Sequence, residues 1–361
     1  MYKKDCNLKD CIDYMGRKTT STSHICIKEH NDDYERELNE SYVILWWKNF
    51  DENIAKKWVM EGHQVVNVDT NDEDAIEYGK YCGLIWRYFK TSQEKQQIIY
   101  ENHVRFKEIA KDIKNAYGDI SCVFGTGPSI ESSWDYDFSK CVCVVCNSIV
   151  KNRELLDYIQ PCFVTAGDVV SHLGVSKYAE VFRDDLFDYL NNSKAYFMTT
   201  ATFGYLLLEH YPYMKNKIMI AEQGIDVQNF DLCNTYLLPR LDSVLNVLML
   251  PIANTFGKTI IINGCDGKIP NKNNEDFWAH SESAQYLELV NTGHKCHPTF
   301  DINRQKKTYS RYNESVRLSM DMGENEYGKK YYTILPSFVE ALKGREICNN
   351  TDLMRLISKE R

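Results

Sequence analysis

The chain lacks a long hydrophobic run and an excess of basic residues. Its longest apolar segment, residues 244–253, is interrupted by Asn246 and Pro251, whereas a transmembrane helix needs about 20 consecutive apolar residues. Lys and Arg total 43 against 51 Asp and Glu, which gives a formal net charge of -8. We therefore expect no membrane-spanning segment and no nucleic acid partner, and peripheral membrane contact stays open.

The sequence also lacks a regular cysteine spacing and an N-terminal signal peptide. Its 13 Cys are scattered, and several lie inside apolar stretches typical of strands. These features predict a reducing, cytoplasmic setting, and they leave the inner face of the membrane and a homo-oligomer open. Cys141 and Cys143 would share one face of a strand and Cys146 the other, so we interpret them as buried small hydrophobic residues rather than metal ligands.

The chain does contain an alternation of short apolar runs and amphipathic stretches, which is typical of an α/β protein. The runs are rich in β-branched residues and are bounded by turn formers, which favours buried strands in a doubly wound, mainly parallel sheet of the Rossmann-like type. A chain of 361 residues can hold two units. We predict a smaller N-terminal α/β and helical region at residues 1–118 and a Rossmann-like domain at residues 119–361.

The same patterns predict the individual elements. Strands are expected at residues 42–47, 63–68, 120–124, 141–146, 162–166, 195–198, 217–220, 258–262 and 330–335. Helices are expected at 53–61, 153–159, 176–190, 241–256 with a kink at Pro251, 310–320 and from 337, and residues 72–117 are mostly helical in pattern. Residues 225–235 are interpreted as a loop, and the long irregular segment 267–310 as a lid or site loop.

Two of the predicted strands end in residues suited to bind a ligand. The run at 120–124 is followed at once by Gly125, Thr126, Gly127, Pro128 and Ser129, and the run at 141–146 is followed by Asn147. Ligands of open α/β sheets bind at the carboxyl ends of strands, and a glycine turn can aim N–H groups at an anion. The turn lacks the third Gly of a dinucleotide motif and the Lys of a P-loop, so a plain tight turn stays open, as does an ordinary turn role for Asn147.

Three further residues could carry chemistry. Asp168 and Asp266 each follow a predicted strand, where a carboxylate could bind a metal or hydroxyl groups, or could cap the turn that follows. His280 lies in the predicted site loop and could act as a general base, or could be a solvated loop histidine. His294 and His297 follow it, but no cysteine or carboxylate spacing of a closed zinc site accompanies them, and we predict no metal.

The order of these motifs resembles that of the metal-independent bacterial sialyltransferases, which use a CMP-activated nonulosonic acid. The wider group includes motility-associated flagellin glycosylation factors and archaeal pterin diphosphokinase-like proteins. The resemblance covers roughly residues 119–345. The resemblance is carried by the Gly-Thr-Gly-Pro-Ser turn, Asn147, the segment from Arg240 to Ser243, the strand ending in Asp266, the His280-Ser281 pair and residues 332–337.

The resemblance implies a role for each of these residues. The turn residues would contact the CMP phosphate and ribose, although Thr126 stands where the family usually has Asn. Asn147 would contact the nucleotide, Arg240 and Ser243 would face the donor, and Ser337 would belong to the turn that closes over the nucleotide. His280 would be the base for the acceptor hydroxyl.

The function implied is transfer of a sialic-acid-like sugar from CMP to a glycan hydroxyl in bacterial surface polysaccharide synthesis, without a cofactor. One alternative is a Mg²⁺-dependent diphosphokinase of the pterin type, with Asp168 and Asp266 as metal ligands. Another is a nucleotide-binding protein without catalytic activity.

Overall fold

The fold was analysed in a computed structural model, which describes residues 43–46, 51–67, 86, 90–173, 176–268, 279–296 and 308–359. Near the N-terminus, strands β1 (Val43–Trp46) and β2 (Gln64–Asn67) pair in parallel and are joined through helix α1 (Glu52–Met60). Asp51 caps this helix by accepting hydrogen bonds from the N–H groups of Asn53 and Ile54, and Gly62 follows it with φ of 98°. The strand–helix–strand unit predicted from the sequence is therefore present.

The main sheet has eight strands, all parallel. They are β3 (Ile120–Phe124), β4 (Val142–Cys146), β5 (Phe163–Thr165), β6 (Tyr196–Thr200), β7 (Ile218–Ile225), β8 (Leu237–Pro239), β9 (Thr259–Asn263) and β10 (Lys330–Thr333). Their spatial order is β10-β9-β3-β4-β5-β6-β7-β8. The chain therefore runs outward from β3 to β8, returns to the other side of β3 as β9, and ends at β10. This confirms the predicted α/β class with a parallel sheet.

Helices connect the strands. They are α2 (Ser92–Ala116), α3 (Arg153–Ile159), α4 (Val169–Leu173), α5 (Lys177–Asn192), α6 (Ala201–His210), α7 (Leu250–Phe256), α8 (Leu287–Cys296), α9 (Thr308–Tyr327) and α10 (Thr351–Ile357). A 3₁₀ helix, Pro128–Asp135, follows β3, and another, Asn147–Lys151, follows β4. In the described part of the chain, no helix combines the length and the apolar character needed to cross a membrane.

The core lies on both faces of the sheet because its central strands are buried on both sides. Every residue of β4 is buried, as are Ser121 to Phe124 of β3. Cys141, Cys143 and Cys146 are at most 3% exposed, which confirms their prediction as buried small residues. Burial of such apolar surface stabilises the fold by roughly 25 cal/mol per Å², and it fixes where the strands end.

Helix α2 belongs to this same core. Phe106 is fully buried and lies 6.1 Å from Phe163 and 6.2 Å from Phe256, measured between ring centroids. Asn102 of the same helix accepts a hydrogen bond from the backbone N–H of Ile220 at 3.1 Å. The division into two domains at residue 118 remains a prediction. Helix α2 lies on the N-terminal side of that boundary in sequence, but it packs against the main sheet.

Several local features differ from the sequence-based expectations. The segment predicted as one kinked helix begins as a π-helix, Leu245–Met249, and continues as α7 with Pro251 near its start, because proline lacks the N–H group that an inner helical turn needs. The segment predicted to be irregular contains α8. Helix α6 and the short strand β8 were not predicted, because burial in the core and pairing with β7 define them more than local pattern does.

Candidate active site

The candidate site lies where the strand order reverses, between β3 and β9. Chain connections leave these two neighbouring strands in opposite directions, and open α/β sheets bind ligands at the carboxyl ends of strands at such a switch point. The register places the ends of three strands level with one another. Phe124 of β3 pairs with Val145 of β4 and with Asn263 of β9. Thr126 and Asn147 both follow these strand ends within two residues.

The glycine turn after β3 packs directly on the turn after β9. The N–H of Gly125 donates to the Asn263 carbonyl and that of Gly127 to the Gly264 carbonyl, both at 2.8 Å. A Cβ on Gly125 would lie 2.4 Å from the Gly264 oxygen, and one on Gly127 would lie 2.1 Å from Asp266 Oδ2. Glycine is therefore required here for close packing of two turns. The expectation that these two N–H groups face a phosphate is wrong, because both already donate to β9.

Ser129 and Asp266 complete this junction. The Ser129 N–H donates to Asp266 Oδ2 and the Gly264 N–H donates to Ser129 Oγ, each at 3.0 Å. The carboxylate thereby caps the 3₁₀ helix that begins at Pro128, where Gly127 has no side chain to do so. Of the two roles left open for Asp266, the structure shows the capping one.

Ser337 supports the same turn from β10. Its hydroxyl donates to the Cys265 carbonyl at 2.8 Å, and the neighbouring N–H of Phe338 donates to the Asp266 carbonyl at 2.7 Å. Burial, with the negative charge of Asp266, raises the pKa of the Cys265 thiol to about 12. This thiol is therefore neutral near pH 7 and is no candidate nucleophile.

His280 is held against the glycine turn. Its Nδ1 lies 2.8 Å from Thr126 Oγ1, and the next residue, Ser281, donates its N–H to the Thr126 carbonyl at 2.8 Å. The imidazole, which is 154 residues away in sequence, is therefore brought to the switch point.

The segment that carries His280 has further anchors, which the sequence reasoning missed. Ser148 Oγ donates to the Ala284 carbonyl at 2.7 Å, and Lys151 Nζ donates to the Gln285 carbonyl at 2.8 Å. The Tyr178 hydroxyl donates to Gln285 Oε1 at 2.8 Å, and burial raises the pKa of Tyr178 to about 12, so it stays a neutral donor. The only sequence signal for any of these was that Ser148 follows Asn147.

Asn147 lies directly after β4. Its backbone has φ of 51°, a left-handed conformation that Asn tolerates better than most residues. Its Oδ1 is buried and has no hydrogen-bond partner among the described residues. Leaving such an atom unsatisfied costs about 1–3 kcal/mol, which makes Asn147 a candidate for contact with a ligand.

Asn263, at the end of β9, is a second residue of this kind, and sequence reasoning did not select it. Its Nδ2 donates to Ser133 Oγ at 2.9 Å, and its Oδ1 is buried without a partner in the described part of the chain. Two unsatisfied amide oxygens therefore flank the end of β3. The sequence signal that could have identified Asn263 as a site residue is a polar Asn at the end of an otherwise apolar strand.

Asp168 lies at the end of β5 and has a local role. It is exposed, and its carboxylate accepts hydrogen bonds from the N–H and the hydroxyl of Ser171 at 3.0 and 2.9 Å. Asp168 and Asp266 follow strands that are three positions apart in the sheet, or roughly 14 Å at the usual strand spacing. One Mg²⁺ holds its oxygen ligands at about 2.1 Å, so a shared metal would require the loops after β5 and β9 to cross that spacing. Within the described residues, no group of three or more His, Cys, Asp or Glu side chains could hold a metal.

Arg240 and Ser243 have local partners. Arg240 directly follows β8, the outermost strand, five positions from β3, where it pairs with Asp226 at 3.2 Å. Ser243 has φ of 76°, and its Oγ accepts a hydrogen bond from the Asn246 N–H at 3.4 Å, at the start of the π-helix. His294 is in α8, and the structure does not describe its side chain, while His297 lies outside the described residues.

A scan of protein-family models and a search of curated proteins find no match to this chain. Solved structures do match. The sialyltransferase CstII from Campylobacter jejuni, in complex with cytidine-5'-monophosphate, is 15% identical over 68% of this chain and 91% of its own, with a TM-score of 0.34. The monofunctional alpha-2,3-sialyltransferase Cst-I from the same organism is 12% identical over 67% of this chain and 85% of its own, with a TM-score of 0.38.

A third match is CstII in complex with a trisaccharide acceptor and CMP, at 13% identity over 67% of this chain and 91% of that one, with a TM-score of 0.34. These solved structures are sialyltransferases, as in the family that the motifs resemble. CMP and the trisaccharide acceptor are ligands of those neighbouring structures.

Proposed function

We propose that the chain is a glycosyltransferase that moves a nonulosonic acid from its CMP ester to a hydroxyl group of a glycan. The observation that carries the proposal is the contact between His280 and the turn after β3, at 2.8 Å between Nδ1 and Thr126 Oγ1. A histidine at the switch point of a parallel sheet, beside a turn that resembles a CMP-binding motif, combines a base with a nucleotide site.

The nucleotide would occupy the ends of β3 and β4. Asn147 Oδ1 lacks a partner in the described residues, and an amide oxygen can accept from the exocyclic amine of a base or from a ribose hydroxyl. Ser129 keeps a hydroxyl at the same edge, although it already accepts from Gly264. With the glycine N–H groups engaged, donor recognition would depend on side chains more than on a backbone phosphate cradle.

In the reaction, His280 takes the proton of the acceptor hydroxyl. The acceptor oxygen forms a bond to the anomeric carbon of the sugar as the bond from that carbon to the phosphate oxygen breaks, and CMP leaves with both bonding electrons. Because Nδ1 is engaged with Thr126, proton transfer is assigned to Nε2, which must come within about 3 Å of the hydroxyl. The protein mainly orients two substrates, which is a large part of catalysis when the leaving group is good.

The proposal places the chain in the synthesis of a bacterial surface polysaccharide, with CMP-sugar and glycan as its partners and the cytoplasmic side of the membrane as its place of action. The step above uses no metal ion. The rival diphosphokinase would need one, and its two candidate carboxylates each have a local hydrogen-bonding role.

The test is a transfer assay with CMP-activated nonulosonic acid and a panel of glycans, in which release of CMP and formation of product are followed by chromatography. His280→Asn is expected to lower turnover by about 10²–10⁴-fold at saturating substrates, the usual contribution of a general base. His63→Asn, in the loop between α1 and β2, is the matched control and should keep turnover unchanged. Equal turnover of wild type and His280→Asn would contradict the assignment.

Thermal shift with CMP, ATP and a pterin, each with and without Mg²⁺, separates the rivals. A ligand at about 100 times its dissociation constant adds roughly 2.7 kcal/mol of stability. Stabilisation by CMP without Mg²⁺ supports the proposal, whereas stabilisation by ATP or pterin only with Mg²⁺ supports the diphosphokinase. A protein that binds CMP, transfers no sugar to any acceptor and does not slowly hydrolyse the CMP-sugar would be non-catalytic.

A further inference from the structure

Thr126 contacts the segment of His280 at two points. Its hydroxyl lies 2.8 Å from Nδ1 of His280, and its carbonyl accepts the N–H of Ser281 at 2.8 Å. Thr126 is only 9% exposed, so both groups are largely shielded from water. The backbone contact fixes where the segment lies, and the hydroxyl contact fixes how the imidazole ring is turned.

The position of the segment does not depend on the Thr126 hydroxyl. Glu131 accepts hydrogen bonds from the hydroxyls of Ser281 and Ser283, while Ser148 and Lys151 hold the backbone at Ala284 and Gln285. Loss of one hydroxyl on Thr126 would therefore leave the loop in place. It would free the ring to rotate and would remove the hydrogen-bond partner of Nδ1.

We propose that Thr126 is a positioning residue for His280 and that its side chain does not contact the nucleotide. The inference rests on the proposed function. When His280 takes the acceptor proton on Nε2, the imidazolium carries a proton on Nδ1 as well, and Thr126 Oγ1 accepts that second hydrogen bond. Before transfer, the same contact keeps Nδ1 engaged and directs Nε2 towards the acceptor, as an orienting partner does in other His-based sites.

A hydroxyl partner differs from a carboxylate in the tautomers and charge states of the imidazole that it can bond. It can donate to Nδ1 or accept from it, so Thr126 remains bonded in either neutral tautomer and in the charged ring. It adds no negative charge beside the imidazole. The resemblance gave Thr126 a contact with the nucleotide, whereas the inference gives it a role in proton transfer from the acceptor hydroxyl.

Thr126→Val removes the hydroxyl at nearly constant shape, and Thr126→Ser keeps it. We expect Thr126→Val to lower kcat about tenfold to a hundredfold, with KM for donor and acceptor within twofold of wild type, and Thr126→Ser to stay near wild type. Without an acceptor for Nδ1–H the protonated ring is less stable, so the acid limb of the pH profile of kcat should move to lower pH in Thr126→Val alone. A rise in donor KM with unchanged kcat would instead show a nucleotide contact and overturn the inference.

A second readout needs no activity. In ¹⁵N NMR of the histidine rings, with the His280 signals assigned by their loss in His280→Asn, Thr126→Val should change the Nδ1 resonance and the titration midpoint, and Thr126→Ser should not. Identical His280 signals in all three proteins would overturn the inference. If the wild type transfers no sugar, the proposed function fails, and this experiment still decides whether Thr126 sets the state of the ring.

Discussion

The β3–β9 junction and the end of β4 lie side by side, yet their polar groups are used in opposite ways. At the junction, the N–H groups of Gly125, Gly127 and Ser129 all donate to atoms of the β9 strand and turn. At the end of β4, Asn147 holds a left-handed backbone and a buried oxygen without a partner in the described residues. The first region gains stability from its polar groups, whereas the second loses it. The proposed nucleotide site therefore lies beside the junction rather than inside it.

The largest effect is expected from adding a side chain at the contact between the turns after β3 and β9. In Gly127→Ala, the new Cβ would lie 2.1 Å from Asp266 Oδ2 and 2.7 Å from the Gly264 oxygen, so the two turns must separate. We expect a loss of about 1–3 kcal/mol in the free energy of unfolding, measured by urea titration. Gly118→Ala is the matched control, because the nearest atom to its Cβ is 3.9 Å away. Equal stability of the two variants would show that the turns have room to adapt.

The opposite result is expected at the end of β4. Asn147→Gly relieves the positive φ of 51° and removes the orphan Oδ1, so stability should stay equal or increase by up to about 1 kcal/mol. Affinity for CMP should fall about tenfold, because one hydrogen bond to the ligand contributes roughly 1 kcal/mol or more. Calorimetric titration with CMP measures the affinity, and urea titration the stability.

Asn147→Gly is informative because it separates ligand binding from folding. A variant with lower stability and unchanged CMP affinity would show that Asn147 is an ordinary turn residue. Gly127→Ala then serves as a reference for a change that damages the fold first and the site only as a consequence.

The strands of this site were predictable because their signal is local. The continuous apolar runs of β3 and β4 and the turn formers after them identify buried parallel strands and where they end. General rules of chain connection narrow the possible orders of the strands in space, but the observed order was not predicted. His280 was assigned to the site through the resemblance of its motif, since nothing local distinguishes it from a loop histidine.

The remaining features of the site depend on contacts between segments distant in sequence. The sequence left both a phosphate-binding turn and a plain tight turn open for Gly127, because its packing against Asp266 joins segments that are distant in sequence. Tyr178 and Lys151 carry no pattern that links them to the segment of His280. Helix α8 was predicted as irregular chain, because a short helix stabilised by its contacts with α5 needs little pattern of its own.

The smallest effect is expected at the far edge of the sheet. Arg240 is five strand positions from β3, roughly 24 Å across a flat sheet, and its ion pair with Asp226 joins side chains that are 57% and 81% exposed. Such a pair contributes at most about 1 kcal/mol and often nothing measurable. Arg240→Ala should therefore keep the free energy of unfolding within about 0.5 kcal/mol and CMP affinity within twofold. A tenfold loss of affinity would show that the donor reaches from the switch point to β8, and it would restore the donor role that the motif resemblance gives to Arg240.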